Sequence, residues 1–388
     1  MQPIYVRVGV LFSSTGSYSA VGRAMRAGAL LAIDEINADA GLGVVLTPVE
    51  VDPGGTPAAY ANCVQRLLFE EGLTHVVGCY TSSSRKEVLP LFEKADALLW
   101  YPSHYEGFET SENIVYTGAA PNQHIIPLAR HLLAHHGNRG WFVGSNYIWA
   151  WENNRILREA LTEAGGQVLG ERYFPVGETD LGALVEQVIE DRPDFVFTTL
   201  IGESCYEFFR LLRSAASAAG INQPREMPAA SCSLSEVELP FIGAAASAGH
   251  LSSSVYFSTV RTRENARFTA LWDRRFGQMG GACADAEATY NALHIMARAV
   301  RAAGGADFDM VRSAVRGLQF AAPQGLVTVD PDNLHCCMRP RIGRSTTDGS
   351  FDLLFEEACP IRPDPYLVRA SGLEAQPERM ADNLRIVP

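Results

Sequence analysis

The chain has 388 residues, and at about 150 residues per domain that length allows two or three domains, each with its own hydrophobic core. Apolar residues make up 47%, charged residues 20% and aromatic residues 9%, with 34 Gly and 21 Pro, which excludes a disordered, collagen-like or coiled-coil chain. The 32 basic and 44 acidic residues leave a net charge of −12, the wrong sign for a protein that grips a phosphate backbone.

Strand and helix patterns alternate from the start. The run 4–12 has the alternation and β-branched content of a first strand, and the stretch Gly22 to Asn37 has apolar residues at helical spacing. A strand at 44–52, a helix at 57–71, a strand at 74–80, a helix at 85–94 and a strand at 97–101 continue the rhythm. It restarts after about residue 121, with strands at 140–145, 167–174, 194–200 and 227–231 between helices at 124–136, 152–164, 180–190 and 204–219. Helices at 262–276, 284–303 and 308–318 follow, then short strands at 326–329, 339–344 and 350–355. Repeated strand–loop–helix units imply parallel sheets covered on both faces. The expectation is an α/β protein of two doubly wound parallel-sheet lobes with a ligand cleft between them. The first lobe is assigned 1–120 plus 258–324 and the second 121–257 plus 325–388, with crossings near 119–123, 256–261 and 321–326.

In open α/β sheets ligands sit beyond the C-terminal ends of the strands. The candidate segments are therefore Ser13 and Ser14, Tyr80 to Ser84, Tyr101 to Tyr105, Ser145 to Trp149, Ile201 to Ser204, and Ser231 to Ser233. Hydroxyls and aromatic rings dominate them, which suits a small, neutral, polar ligand. Enzyme chemistry is poorly represented. No nucleotide-binding glycine loop or G-x-S-x-G elbow follows a strand. Cys79 reads as a buried small hydrophobe, and His131 with His135 as a helix face without a third ligand. The eight cysteines are scattered, and the pair Cys336 and Cys337 after His335 lacks the second spaced pair of a zinc site. No metal or cofactor is expected. The basic knot Arg339, Arg341 and Arg344, interrupted by Pro340, reads as a solvated loop. No apolar run approaches the ~20 residues of a membrane span. With Met1-Gln2-Pro3 leading directly into strand pattern, the expected compartment is cytoplasmic, or periplasmic if the chain is a processed form.

Three strings are distinctive: Gly78-Cys79-Tyr80-Thr81-Ser82, Tyr101-Pro102-Ser103-His104-Tyr105-Glu106-Gly107, and Ile361-Arg362-Pro363-Asp364-Pro365-Tyr366. With Val143-Gly144-Ser145-Asn146-Tyr147 and Ala322-Pro323-Gln324-Gly325, they span nearly the whole chain. In them the sequence resembles the urea and short-chain amide branch of type I periplasmic-binding-protein-like receptors. The layout is most similar to the cytoplasmic amide receptors that act as negative regulators of aliphatic amidase operons (AmiC-type). The resemblance implies a pocket of Tyr80, Ser82, Tyr101, Ser103, Tyr147 and Trp149, with Ser233 from the second lobe. Three positions depart from the pattern: Ser103 stands for a Thr, His104 for a Pro, and Trp149 for a Tyr, leaving only an indole donor. Glu203 is the one candidate charge near the cleft, as a ligand acceptor or as a helix-terminus carboxylate.

The resulting expectation is a non-enzymatic receptor for a short-chain amide or urea-like ligand, acting as a cytoplasmic sensor. The resemblance implies an RNA-binding antiterminator-type regulator protein as partner, with no direct nucleic-acid contact. The alternative is the substrate-binding protein of an ABC importer for urea or amides, and an amide-processing enzyme is disfavoured. Homo-oligomerisation is left open.

Overall fold

The computed structural model describes residues 2–368 of the chain. Five strands, β1 (Ile4–Leu11), β2 (Val44–Val51), β3 (His75–Gly78), β4 (Leu98–Tyr101) and β5 (Ile114–Tyr116), form an all-parallel sheet in the order β2-β1-β3-β4-β5. Every residue of β3, β4 and β5 is buried, as parallel strands covered on both faces must be. One cover is the helix Ser19–Ala38, and the late helix Ala284–Ala303 packs along it and touches β2, β3 and β4. That contact returns a distant part of the chain to the first lobe.

The second lobe is built on β6 (Arg139–Ser145), β7 (Gln167–Phe174), β8 (Phe195–Thr199), β9 (Ala229–Ser231) and β10 (Leu251–Ser254), all parallel. β11 (Gln319–Ala322), β12 (Gly325–Val329) and β13 (Cys336–Cys337) make a separate antiparallel sheet. β14 (Arg341–Ser345) and β15 (Phe351–Glu356) then extend the second sheet antiparallel, in the order β15-β14-β10-β9-β8-β6-β7.

Sequence periodicity missed β10, because Leu251-Ser-Ser-Ser254 is polar. Its hydroxyls are buried as donors to carbonyls, Ser252 Oγ to Leu234 O at 2.7 Å and Ser253 Oγ to His124 O at 2.8 Å. The third crossing also comes later than expected. β11 and β12 are hairpin partners, with Ala322 opposite Gly325, and His335 bridges Tyr116 of β5. Residues 325–337 therefore stay beside the first lobe, and the chain enters the second between Cys337 and Arg341. Of the stretch assigned to the second lobe, 369–388 lies outside the described residues.

The basic knot is not a solvated loop. Arg341 is only 1% exposed and lies in β14, where it donates to Val255 O and Gln324 O and pairs with Glu356, which also holds Arg339. A guanidinium with five donors satisfies carbonyls at the lobe crossings that strand pairing leaves open.

Candidate functional site

The loops leaving β3, β4, β6 and β8 converge between the lobes, as the doubly wound topology requires. After β3, Cys79 adopts φ +66°, an uncommon conformation for a residue with a side chain, and the chain turns through Tyr80 into the helix Ser82–Ala95. β4 delivers Ser103 and His104. Their loop lies so close to Gly118 that a Cβ there would stand 2.0 Å from Ser103 O. β6 delivers Tyr147 and Trp149, with Tyr147 immediately preceding the helix Ile148–Glu163, and β8 delivers Ile201.

Tyr80, Ser82, Ser103, His104, Tyr147, Trp149 and Ile201 enclose a cavity of about 10 Å³, roughly the room of one water molecule. The lobes are therefore closed on each other. The His104 ring of the first lobe meets the Trp149 ring of the second edge-on at 5.1 Å, and Glu203 N–H donates to Ser17 O at 3.2 Å. Gly202 makes that approach feasible, since at its φ of +60° a Cβ would lie 2.2 Å from Ser17 O. Arg155 adds a cation–π contact over Phe108 at 5.2 Å.

The cavity wall has a specific polarity. Trp149 is 2% exposed, and its Nε1–H has no hydrogen-bond acceptor among the described residues. A buried N–H without an acceptor costs roughly 1–3 kcal/mol, so this indole is poised for a ligand that supplies one. Ser103 Oγ donates to Asp285 Oδ1 at 3.1 Å, and His104 Nδ1 lies 3.8 Å from the same oxygen. Burial, then the charges of Glu238 and Asp285, push the Tyr80 phenol well above its ordinary range; burial and neighbouring groups do the same for Tyr147. Both rings stay neutral and keep their O–H groups as donors.

Ser82 is already engaged. It donates to Glu106, accepts from Arg85 Nη1 at 3.3 Å, and sits at the head of a buried charge cluster. Arg85, fully buried, pairs with Glu106 at 3.0 Å and with Glu109 at 2.7 Å, and Lys86 reaches Glu109 at 2.9 Å. Against the upward pull of burial, Arg85 and Lys86 hold Glu109 down to about 2. The two cations and two carboxylates balance, so none of this positive charge is free for the cavity.

Three of the expected ligand contacts fall outside the cavity wall. Tyr101 turns into the core of the first lobe, where its hydroxyl donates to Tyr80 O at 3.0 Å and its ring packs against Arg85. Ser233 lies 3.1 Å from Ser231 Oγ in a local hydroxyl pair. Glu203 is exposed in the first turn of the helix Glu203–Ala218, the place its helix-terminus reading assigns. In their stead His104 and Ile201 line the cavity, with Asp285 directly behind. In the sequence strings His104 stands out only as a departure, and Asp285 carries no signal beyond an acidic residue in the first turn of a helix.

Reactive groups are poorly placed for catalysis. Burial pushes the Cys79 thiol up to about 12, which suppresses the thiolate. The His131 and His135 rings lie 4.6 Å apart, but no group of three metal-ligating side chains occurs among the described residues.

Residues 6–372 match the family described as "Periplasmic binding protein domain". The "Leu/Ile/Val-binding protein homolog 6" of Brucella abortus (strain 2308) is 24% identical over 339 residues, covering 85% of each chain. Among solved structures, a solute binding protein of an ABC transporter from Rhodopseudomonas palustris HaA2, in complex with p-hydroxybenzoic acid, superposes with a TM-score of 0.82 at 22% identity. The match covers 94% of this chain and all of that one. The leucine binding protein LivK of Thermotoga maritima superposes with a TM-score of 0.78 at 19% identity, covering 90% and 98%. Two parallel-sheet lobes, loops converging on a closed inter-lobe cavity and a family match over almost the full length agree: the chain belongs to the periplasmic binding protein family, with the type I fold.

Proposed function

We propose that the protein is the substrate-binding receptor of a small-solute importer, and that its solute is a short-chain amide or a urea-like molecule held between the lobes. The observation that carries the ligand class is the Trp149 Nε1–H, buried without an acceptor in a residue that lines the cavity together with Ser103, whose hydroxyl is bonded to Asp285. A carbonyl accepts from the indole while N–H groups donate to the hydroxyl side. The absence of Lys and Arg from the cavity wall argues against a simple benzoate, whose carboxylate would enter with no cation to meet it. The importer role draws on the solute-binding relatives. The regulatory role, through an antiterminator, has only the sequence strings behind it.

Isothermal titration calorimetry with acetamide, propionamide, urea, leucine and benzoate tests the ligand class. Binding of amides or urea is expected, and binding of benzoate or leucine alone would overturn it. The two roles separate in cells. An importer subunit appears in the periplasmic or surface fraction, whereas a regulator stays in the cytoplasm and co-purifies with an RNA-binding protein in an amide-dependent way.

A further inference from the structure

Two serines on the cavity wall, Ser82 and Ser103, each commit their hydroxyl proton to a buried carboxylate outside the wall. Ser103 Oγ donates to Asp285 Oδ1 at 3.1 Å, and Ser82 Oγ donates to Glu106. Asp285 is 4% exposed and Glu106 1%, so bulk water does not compete for either bond. Among the described residues no other donor lies within hydrogen-bond distance of the Asp285 carboxylate; His104 Nδ1 stands off at 3.8 Å. The Ser103 proton is therefore the group that satisfies it. Glu106 is fixed in turn by Arg85 at 3.0 Å. A hydroxyl has one proton and two lone pairs, and a carboxylate only accepts. With its proton committed, Ser103 Oγ can offer the cavity lone pairs alone. Ser82 Oγ also accepts from Arg85 Nη1 at 3.3 Å, so its remaining capacity is a single lone pair. Trp149 Nε1–H is the reverse case, a group that only donates and that has no acceptor. All three residues border one space of about 10 Å³, so even the smallest solute lies against all of them.

We infer that Asp285 and Glu106 determine specificity without touching the solute: by holding Ser103 and Ser82 as acceptors, they make the cavity select an unsubstituted NH₂ group beside a carbonyl. This rests on the receptor reading above and deepens it, because it assigns the nitrogen side of the solute as well as its carbonyl. Ser103 and Ser82 are the contact residues, and Asp285 and Glu106 are the positioning residues that act through them. A ketone of the same shape brings no N–H and leaves the serine lone pairs unpaired in a closed site, which discriminates far more strongly than a change of apolar bulk. A carboxylate of the same shape sets lone pairs against lone pairs.

The test compares propionamide with butanone, which has the same shape with a methyl in place of NH₂. Both are titrated calorimetrically into the full chain, Asp285→Leu and Ser103→Ala. Each ligand carries the carbonyl for Trp149, so the ratio of their affinities reads the serine side alone, whereas a loss of stability or of lobe closure moves both ligands together. In the parent protein propionamide is expected to bind at least about tenfold tighter than butanone, because butanone leaves buried acceptors unpaired. Asp285→Leu removes the acceptor behind Ser103 and frees its hydroxyl proton to turn towards the cavity. The ratio should then fall about 2- to 12-fold, the worth of one neutral hydrogen bond, and Ser103→Ala should lower it similarly. If butanone binds the parent as well as propionamide does, the inference is wrong, and the receptor reading, which needs only the carbonyl, stands. If the ratio falls in Ser103→Ala but survives in Asp285→Leu, Asp285 does not set the hydroxyl and its role fails. If the ratio survives in both variants, Ser103 does not read the nitrogen and the inference is overturned. If neither propionamide nor urea binds the parent, the ligand class itself fails and takes this inference with it. Where Asp285→Leu does not fold, Asp285→Ala takes its place, and the parent ratio with Ser103→Ala decides the serine contact in either case.

Discussion

Replacing Trp149 by Phe removes one polar atom from the cavity while keeping a ring there. In the unliganded protein the indole N–H has no acceptor, so its loss relieves a desolvation cost of roughly 1–3 kcal/mol. The smaller ring gives up packing against His104 and Tyr147, which offsets much of that gain. The unliganded variant should therefore melt close to the parent. The liganded protein behaves differently, because there the N–H is paired with the solute. A neutral hydrogen bond is worth about 0.5–1.5 kcal/mol, so amide affinity should fall about 2- to 12-fold. Calorimetric titration of acetamide or propionamide reads the affinity, and thermal denaturation without ligand reads the fold. Unchanged affinity together with a large drop in melting temperature would refute the reasoning, since the indole would then be a packing element only.

Two further outcomes follow from the buried charges. Arg85→Met leaves Glu106 and Glu109 without their buried guanidinium and should destabilise the protein by roughly 3–5 kcal/mol, measured by denaturant unfolding; a loss below about 1 kcal/mol would show that Lys86 suffices. The pH dependence of stability has two arms. Burial pushes Glu238 up to about 8 and Glu236 and Glu287 up to about 7, so the folded state retains protons that the unfolded chain releases, and stability falls as pH rises from the ordinary carboxylate range towards 8. Burial lowers His75 and His335 to about 4 and His124 to about 3, so their contribution to stability is lost as pH drops below about 6.5, where it opposes the carboxylate contribution; the fall with rising pH therefore shows unopposed only between about 6.5 and 8. Glu238→Gln should flatten the alkaline arm, raising the melting temperature at pH 8 relative to pH 5, and an unchanged slope would contradict its burial as an ionisable group.

The architecture was legible because strands buried on both faces read as short apolar runs between helical periods. β7 and the helix Ala284–Ala303 fall where the pattern places them. β10 was not legible, because its burial is achieved by hydroxyls bonded to carbonyls on distant segments, which no local pattern encodes. The cavity was legible by topology: loops after β3, β4 and β6 supply Tyr80, Ser103, Tyr147 and Trp149. Which way a ring turns was not, as Tyr101 shows by closing on its own lobe. Asp285 could not be found along the chain at all. Its place depends on a helix some 180 positions after Ser103 docking beneath the β4 loop, a contact set by tertiary packing.

The central claim, that a small solute is held between the lobes by Trp149, is tested most directly at the indole proton itself. In ¹⁵N-labelled protein the five tryptophans provide five indole resonances, and Trp149→Phe identifies the one in question. Addition of an amide or urea ligand should move the Trp149 Nε1–H resonance downfield, as a free donor becomes bonded, with the largest change among the five. Saturating ligand that leaves this resonance in place while others move would contradict the account.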